Sequence, residues 1–438
     1  VKISYYTLGC KLNFSETSAI SRQFENAGFS TVEFTDTPDI FLINTCSVTE
    51  HADKKCRKIV NQALKINPEA FVAITGCYAQ LKPKEITSIP GVDAVFGAAE
   101  KFRIPEILKD WSKREKAEML VTQIQEVSTF SPAFSQGNRT RSFLKVQDGC
   151  DYKCTFCTIP LARGKSRSAT PESVIAQAQT LVGQGVKEIV LAGVNTGDYG
   201  KGLDGETSFF DLLKALDKHV SAPRIRISSI EPNLLEERII SFISTSERIM
   251  PHFHIPLQSG SNEILRLMKR RYRKEHFKEK VDLIRSYLPD ASIGVDVITG
   301  FPGETEEHFM ETYTFLNELD VTYLHVFTYS ERINTPAFSM SGRVENSTRN
   351  ERTERLRILS EKKRSAFERR FIDQTKKVLF EDDAEKNMVS GYTDNYIRIS
   401  IPYDPLFVNE IMEVTITGLG DSGHMTANIN ENCFTYSE

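Results

Sequence analysis

Three cysteines within eight residues, Cys150-Asp-Tyr-Lys-Cys154-Thr-Phe-Cys157, constrain this chain more than any other feature. They follow a predicted strand, Phe143 to Gln147, and Gly149, which permits a tight turn, so a single loop presents three thiols together. Three thiolates can hold three irons of a [4Fe–4S] cube. The fourth iron then lacks a protein ligand and stays open to a chelating small molecule, as the open position of a catalytic metal site does. The alternatives are unpaired core cysteines or a zinc loop, which needs a fourth ligand; Asp151 and Lys153, the nearest candidates, are poor ones. The chain has eight cysteines and a cytosolic character, so clustered thiols point to metal ligation rather than disulfides.

Cys10, Cys46 and Cys77 form a second group, because each ends a predicted strand: Lys2 to Leu8, Ile40 to Asn44 and Phe71 to Thr75. In open parallel sheets the ligand crevice lies at the carboxyl ends of the strands, where three such cysteines can converge on one point and hold a second cluster. Taken singly, each is more often a small buried hydrophobe. Cys56 and Cys433 lack this context and are read as non-ligands.

A chain of 438 residues implies two or three domains. Residues 1–125 alternate apolar runs with helical patterns, the signature of an α/β parallel-sheet domain. Residues 126–140 lose periodicity and gain Ser, Pro, Gly and Asn, which marks a linker. Residues 141–369 carry six βα units, with further strands near Lys187 to Ala192, Arg224 to Ser229, Phe253 to Leu257, Ile293 to Ile298 and Tyr323 to Thr328. Six units predict an open, partial (βα)6 barrel. Residues 370–438 read as a small antiparallel β-barrel with strands near Val378 to Phe380, Tyr396 to Ile401, Ile411 to Thr417 and Met425 to Ile429. No apolar run approaches the roughly 18 residues that span a membrane, and the N-terminus lacks a secretory pattern, so a cytoplasmic protein without a membrane partner is expected.

Functional residues of βα barrels gather at strand carboxyl ends. Here those ends carry Gly193 and Asn195, Ser229 and Glu231, Gln258, and Asp296. Glycines let backbone approach a ligand, and carboxylates accept bonds from ammonium groups or ribose hydroxyls.

The C-x3-C-x2-C spacing at the start of a βα barrel resembles the radical S-adenosylmethionine (SAM) superfamily. With three further cysteines in an N-terminal α/β domain, and a tail similar to the RNA-binding TRAM module, the whole chain resembles the methylthiotransferases of that superfamily. The resemblance implies two [4Fe–4S] clusters, held by Cys150, Cys154 and Cys157 and by Cys10, Cys46 and Cys77. It also implies two SAM per turnover: one methylates a sulfur on the auxiliary cluster, and one yields a 5′-deoxyadenosyl radical. Phe156, Gly193, Asn195, Ser229, Glu231, Gln258 and Asp296 match positions around SAM, although Gly193 to Asn195 lacks the acid of the family's Gly-Gly-Glu segment. No side-chain acid or base is assigned. A flavodoxin or ferredoxin is the expected electron donor, and the protein is expected to be a monomer.

The net charge of −4 argues weakly against a nucleic-acid partner, but local charge can outvote the sum. Met268-Lys269-Arg270-Arg271-Tyr272-Arg273-Lys274 clusters cations around an aromatic, suited to phosphates and a stacked base. Lys165, Arg167, Arg270, Arg271 and Tyr272 are the expected RNA contacts. Leu8-Gly9-Cys10-Lys11 and Ile159 to Ser168 resemble the family's threonylcarbamoyladenosine group rather than its isopentenyladenosine or ribosomal-protein aspartate groups. The substrate implied is threonylcarbamoyladenosine beside the anticodon of tRNA, methylthiolated at C2. A cation among Lys165, Arg167 and Arg271 is expected to pair with its carboxylate. The reading from another class is a non-catalytic iron–sulfur RNA-binding protein.

Overall fold

The computed structural model describes residues 1–46, 50–135, 140–382, 387–420 and 423–430, with the backbone alone for 50–53. Cys433 and residues 136–139 of the expected linker lie outside the described residues.

The N-terminal sheet is wholly parallel, in the order Ser30–Thr31, Lys2–Thr7, Ile40–Thr45, Phe71–Gly76, Ala94–Phe96, Glu118–Leu120. Every residue of Ile40–Thr45 and Phe71–Gly76 is buried. These continuous apolar runs are what a strand covered on both faces requires. Phe24, Phe71 and Phe96 pack on one face, and Ile43, Val60, Ile74 and Tyr78 on the other. The three strands beyond the expected ones have only two or three residues each, too short for a periodic signal.

The central domain has the six expected parallel strands: Arg141–Lys145, Glu188–Ala192, Arg224–Ile227, His252–Gln258, Ser292–Thr299 and Tyr323–Thr328. They form two three-strand ladders, which among the described residues meet at the bridges Ile225↔Ile249 and Ser229↔His254. Within the stretch expected to be a linker, Ala133–Phe134 pairs antiparallel with Arg141–Lys145 and extends the first edge of the sheet. The period of two along each strand divides the faces. Leu144, Ile189, Leu191, Ile225, Ile255, Val295 and Val297 lie in the core beneath the helices. The alternate positions, Arg141, Lys145, Glu188, Arg226, His254, Asp296 and His325, face the lumen, which is therefore polar.

Helix Asn346–Arg369 packs on the last barrel strand and leads to a closed five-stranded barrel. Its strand order is Thr375–Glu381, Met388–Thr393, Arg398–Pro402, Met425–Ile429, Ile411–Leu419. One closing contact, Ile399↔Met425, is parallel, so the barrel is not purely antiparallel as expected. The strand Met388–Thr393 was not expected because Ser390 and Gly391 interrupt its apolar pattern. This module plugs the lower end of the larger barrel. Arg224 and Arg226 donate to the carbonyls of Tyr392, Lys377 and Asp394, and Tyr396 stacks on His252 with centroids 4.2 Å apart. Among the described residues, no helix is long and apolar enough to cross a membrane.

Candidate active site

The Cys150 loop is shaped by its flanks. Gly149 has φ +70°, and a Cβ there would lie 2.0 Å from the Lys165 carbonyl oxygen, so only glycine fits. Cys150 N donates to Gly164 O at 3.0 Å, which ties the loop to the far side of the helix Ile159–Arg163. The sulfurs receive donors: Tyr152 N at 3.4 Å from Cys150 Sγ, Ile159 N at 3.5 Å from Cys157 Sγ, and Arg270 Nη1 at 3.2 Å from Cys154 Sγ. Burial pushes the Cys150 thiol up to about 11 and the Cys157 thiol up to about 12. Thiols this reluctant to ionise become thiolates when a cationic metal centre takes the place of the proton. The donor set, the amide hydrogens and the guanidinium all suit an iron–sulfur cluster.

Cys10 caps the helix Lys11–Asn26, Cys46 follows the strand Ile40–Thr45, and Cys77 opens the helix Cys77–Leu81. Two glycines let these strand ends close on one another. A Cβ on Gly9 would lie 2.8 Å from Cys46 Cβ, and one on Gly76 would lie 2.3 Å from the Thr45 carbonyl. Asn13 Nδ2 fastens the same point by donating to Leu8 O at 2.7 Å and Thr45 O at 3.0 Å. Burial raises the Cys77 thiol, against the pull of the Arg163 guanidinium, and Cys10 is near enough to add to the rise. These three residues could hold a second cluster.

The two thiol groups meet at a buried charged seam. Helix Cys77–Leu81 packs against Ile159–Arg163, which begins two residues after Cys157. The fully buried Glu16 accepts from Lys101 at 2.8 Å, Lys145 at 2.9 Å and Arg163 at 2.9 Å. Asp148 takes Lys145 at 2.7 Å, Arg163 at 2.9 Å and Arg167 at 3.1 Å. Burial pushes the Glu16 carboxyl up, but Arg163, Lys101 and Lys145 outweigh it and hold it well below the usual carboxylate range. Sequence reasoning missed Glu16, Lys101 and Asp148, since a charge within a helix or loop pattern normally reads as a solvated face.

A cavity of about 190 Å³ opens beside the cysteine loop, lined by Phe156, Cys157, Gln258, Asp296, Ile298 and Phe327 among others. Three of the expected SAM positions therefore share one cavity. Gln258 adopts φ +71° at a bulge, and Asp296 accepts from His254 Nε2 at 2.7 Å. At and just beyond the ends of the second and third barrel strands lie buried polar atoms with no partner among the described residues: Asn195 Nδ2, Asp198 Oδ2, Ser228 Oγ and Asn233 Oδ1. Buried orphans of this kind are rare without a ligand or water to meet them. They suit a small polar molecule with amino, carboxylate and hydroxyl groups. Ser229 offers its carbonyl to Thr196 N at 3.2 Å and Thr196 Oγ1 at 2.8 Å.

Several expected contacts turn out to be internal braces. The Arg270 side chain is 4% exposed and bonds Glu231, Cys154 Sγ and the Tyr272 hydroxyl. Tyr272 is buried and donates to the carbonyls of Pro256 and Leu257. Arg167 donates to the carbonyls of Thr129, Arg163 and Lys165 and to Asp148. A buried guanidinium must spend its donors on protein acceptors, so Arg270 and Arg167, like Tyr272, are not RNA contacts. Glu231, expected near SAM, neutralises Arg270 instead of standing open, and burial raises its carboxyl. Lys165 and Arg271 remain exposed; Arg271 lies 3.7 Å over the ring of Tyr152.

Comparison with known proteins matches this architecture. Residues 144–316 fit the model of the radical SAM superfamily, and residues 2–97 fit that of uncharacterized protein family UPF0004. The chain is 41% identical to the threonylcarbamoyladenosine tRNA methylthiotransferase MtaB of Bacillus subtilis, over 95% of this chain and 94% of that protein. The chain belongs to the radical SAM methylthiotransferase family. Its identity to the MtaB protein of Thermotoga maritima is 36%, over 95% of this chain and 94% of the other. The tRNA-2-methylthio-N(6)-dimethylallyladenosine synthase of Staphylococcus aureus is a more distant member, 32% identical over 94% of this chain and 81% of that protein. The radical SAM methyltransferase TsrM of Kitasatospora setae shares the fold at a TM-score of 0.57 and 14% identity, covering 77% of this chain and 75% of the other.

Proposed function

We propose that this methylthiotransferase inserts sulfur and a methyl group at C2 of threonylcarbamoyladenosine beside the anticodon of tRNA. The observation that supports the reading is the pair of cysteine triads on either side of the Glu16–Arg163 seam, with a largely apolar cavity beside Cys157 into which Gln258 and Asp296 bring polar groups. Relatives named for this substrate share 36–41% identity with the chain along nearly its whole length, against 32% for the dimethylallyladenosine synthase.

Cys150, Cys154 and Cys157 would hold the cluster that meets SAM, and Cys10, Cys46 and Cys77 the auxiliary one. When bound, the reduced first cluster and SAM supply a carbon radical able to break an unactivated C–H bond, which acid–base groups cannot do. The protein's own contribution is placement. Phe156 and Phe327 give the cavity apolar walls, while Gln258 and Asp296 fix polar groups. Arg270 holds positive charge at Cys154, and the Glu16 network sets the distance between the triads. The exposed Lys165 and Arg271 would meet tRNA phosphates, and the five-stranded module would extend that grip. Two SAM are used per turnover, and the electron comes from a small carrier such as a flavodoxin or ferredoxin. We place the catalytic form as a monomer in the cytoplasm.

The test uses reconstituted protein, a chemical reductant, SAM and tRNA deuterated at C2 of the modified adenosine. Deuterium in the 5′-deoxyadenosine supports the reading. Unlabelled 5′-deoxyadenosine alone counts against C2 as the reacting position.

A further inference from the structure

The three sulfurs of the Cys150 loop are not served alike. Cys150 Sγ and Cys157 Sγ accept from neutral backbone amides, those of Tyr152 and Ile159, at 3.4 and 3.5 Å. Cys154 Sγ accepts instead from the Arg270 guanidinium at 3.2 Å. Among the described residues this is the one charged donor on the triad.

Arg270 is fixed there through all three of its nitrogens. Nε donates to the Tyr272 hydroxyl at 3.1 Å, and Nη2 donates to Glu231. The Tyr272 hydroxyl in turn donates to the Leu257 carbonyl at 2.9 Å, which leaves its lone pairs for Nε. The backbone sets the same approach. Thr155 N donates to Met268 O at 3.1 Å and Thr155 Oγ1 to Leu267 O at 2.9 Å, so the turn that carries Arg270 is tied to the residue after Cys154. The Arg270 and Glu231 side chains are only 4% and 12% exposed. A guanidinium stays charged throughout the pH range of a folded protein, and at this depth salt screens it little.

The potential of an iron–sulfur cluster follows its net charge and the hydrogen bonds to its sulfurs. Reduction adds one negative charge, so a cation beside a ligand sulfur favours the reduced form and an anion beside that cation offsets it. We infer that Arg270 sets the reduction potential of the cluster on Cys150, Cys154 and Cys157, raising it toward the reach of the electron donor, and that Glu231 limits the rise. The inference rests on the cluster assignment of the proposed function. It gives a role to a cation that the fold withholds from RNA, and it makes Arg270 a positioning residue that acts through Cys154. The two members of the pair act with opposite sign. A merely structural brace predicts no such opposition, because loosening either end of the bond would disturb the loop in the same sense.

The test is a redox titration of the reconstituted protein, followed by electron paramagnetic resonance of the reduced cluster. Cys154→Ala, which should lack this cluster, assigns its signal against that of the second. Arg270→Gln should shift the reduction equilibrium toward the oxidised form by about tenfold or more, and tenfold is about 59 mV for one electron. Glu231→Gln should shift it the other way. Arg270→Lys keeps the charge and should keep most of the potential. The double variant Arg270→Gln with Glu231→Gln leaves no buried charge unpaired and should fall between the two single variants. Iron content is measured for each protein. If Arg270→Gln loses iron, Glu231→Gln, Arg270→Lys and the double variant decide. An iron-replete Arg270→Gln protein whose equilibrium stays within about twofold of the intact one overturns the inference. So do single variants that both shift the potential in the same direction. An intact protein with no signal that Cys154→Ala removes would instead overturn the cluster assignment of the proposed function.

Discussion

Replacing Glu16 by alanine tests whether the buried seam holds the two domains in register. Glu16 is fully buried and neutralises three cations, and Lys101, whose side chain is 5% exposed, has no other ion pair among the described residues. Lys145 and Arg163 keep Asp148, so the main loss is one stranded ammonium and a weakened guanidinium. Removing one partner of a buried pair costs about 3–5 kcal/mol. For a domain of this size that lowers the melting temperature by roughly 6–20 °C. The double variant Glu16→Met with Lys101→Met should recover much of the loss, since a buried pair replaced by apolar groups is close to neutral. The Glu16 carboxyl is held below its ordinary 4.5, so its stabilisation is present above that pH and lost as pH falls beneath it. Thermal unfolding of the reconstituted protein at pH 7.5 (about neutral, where carboxylates are ionised) supplies the measurement. Counting 5′-deoxyadenosine against methylthiolated product supplies a second, because misaligned domains should raise that ratio. A melting shift under about 2 °C would mean that the Glu16 seam does not hold the two domains.

Three further outcomes follow from the geometry. Gly149→Ala must move a backbone carbonyl that a Cβ would meet at 2.0 Å, so the Cys150 loop should lose iron, read by iron analysis, and stability should fall by about 2 kcal/mol or more. Cys77→Ala should drop iron from about eight to about four per chain while the SAM-binding cluster survives, whereas Cys154→Ala should abolish SAM cleavage; iron analysis and chromatography of 5′-deoxyadenosine read these. Burial raises the Glu368 carboxyl from 4.5 to about 7, so the contribution of this group to folding stability is fully present below pH 4.5 and is lost as pH rises through 7. Glu368→Gln should therefore stabilise the protein at pH 8 (roughly one unit above the raised value) by about 1–2 kcal/mol after solvent screening, with the gain vanishing toward pH 4.5, as melting curves across pH would report.

Much of this was legible in the sequence because it was local. The Cys150 triad sits within one loop, and Cys46 and Cys77 each follow a strand with a continuous apolar run, while Cys10 follows the more mixed strand Lys2–Thr7. The six barrel strands are long enough for their pattern to register. What could not be read was pairing between distant side chains. Arg270 and Arg167 look like free cations in a basic run; only the fold shows Glu231, Cys154 and Asp148 around them. Tyr272 looks like a stacking platform until its hydroxyl is seen beneath the Pro256 and Leu257 carbonyls. The two-residue strand Ala133–Phe134 is defined by its pairing partner and not by propensity, whereas Ser390 and Gly391 mask the apolar pattern of Met388–Thr393.

On the proposed function this chain methylthiolates threonylcarbamoyladenosine. The most direct measurement is mass spectrometry of nucleosides after anaerobic reaction of the reconstituted protein with SAM, reductant and an equal mixture of tRNAs bearing threonylcarbamoyladenosine and isopentenyladenosine. The expected dominant product is 2-methylthio-N6-threonylcarbamoyladenosine. Methylthiolation of the isopentenyl nucleoside alone, or of neither, would contradict it.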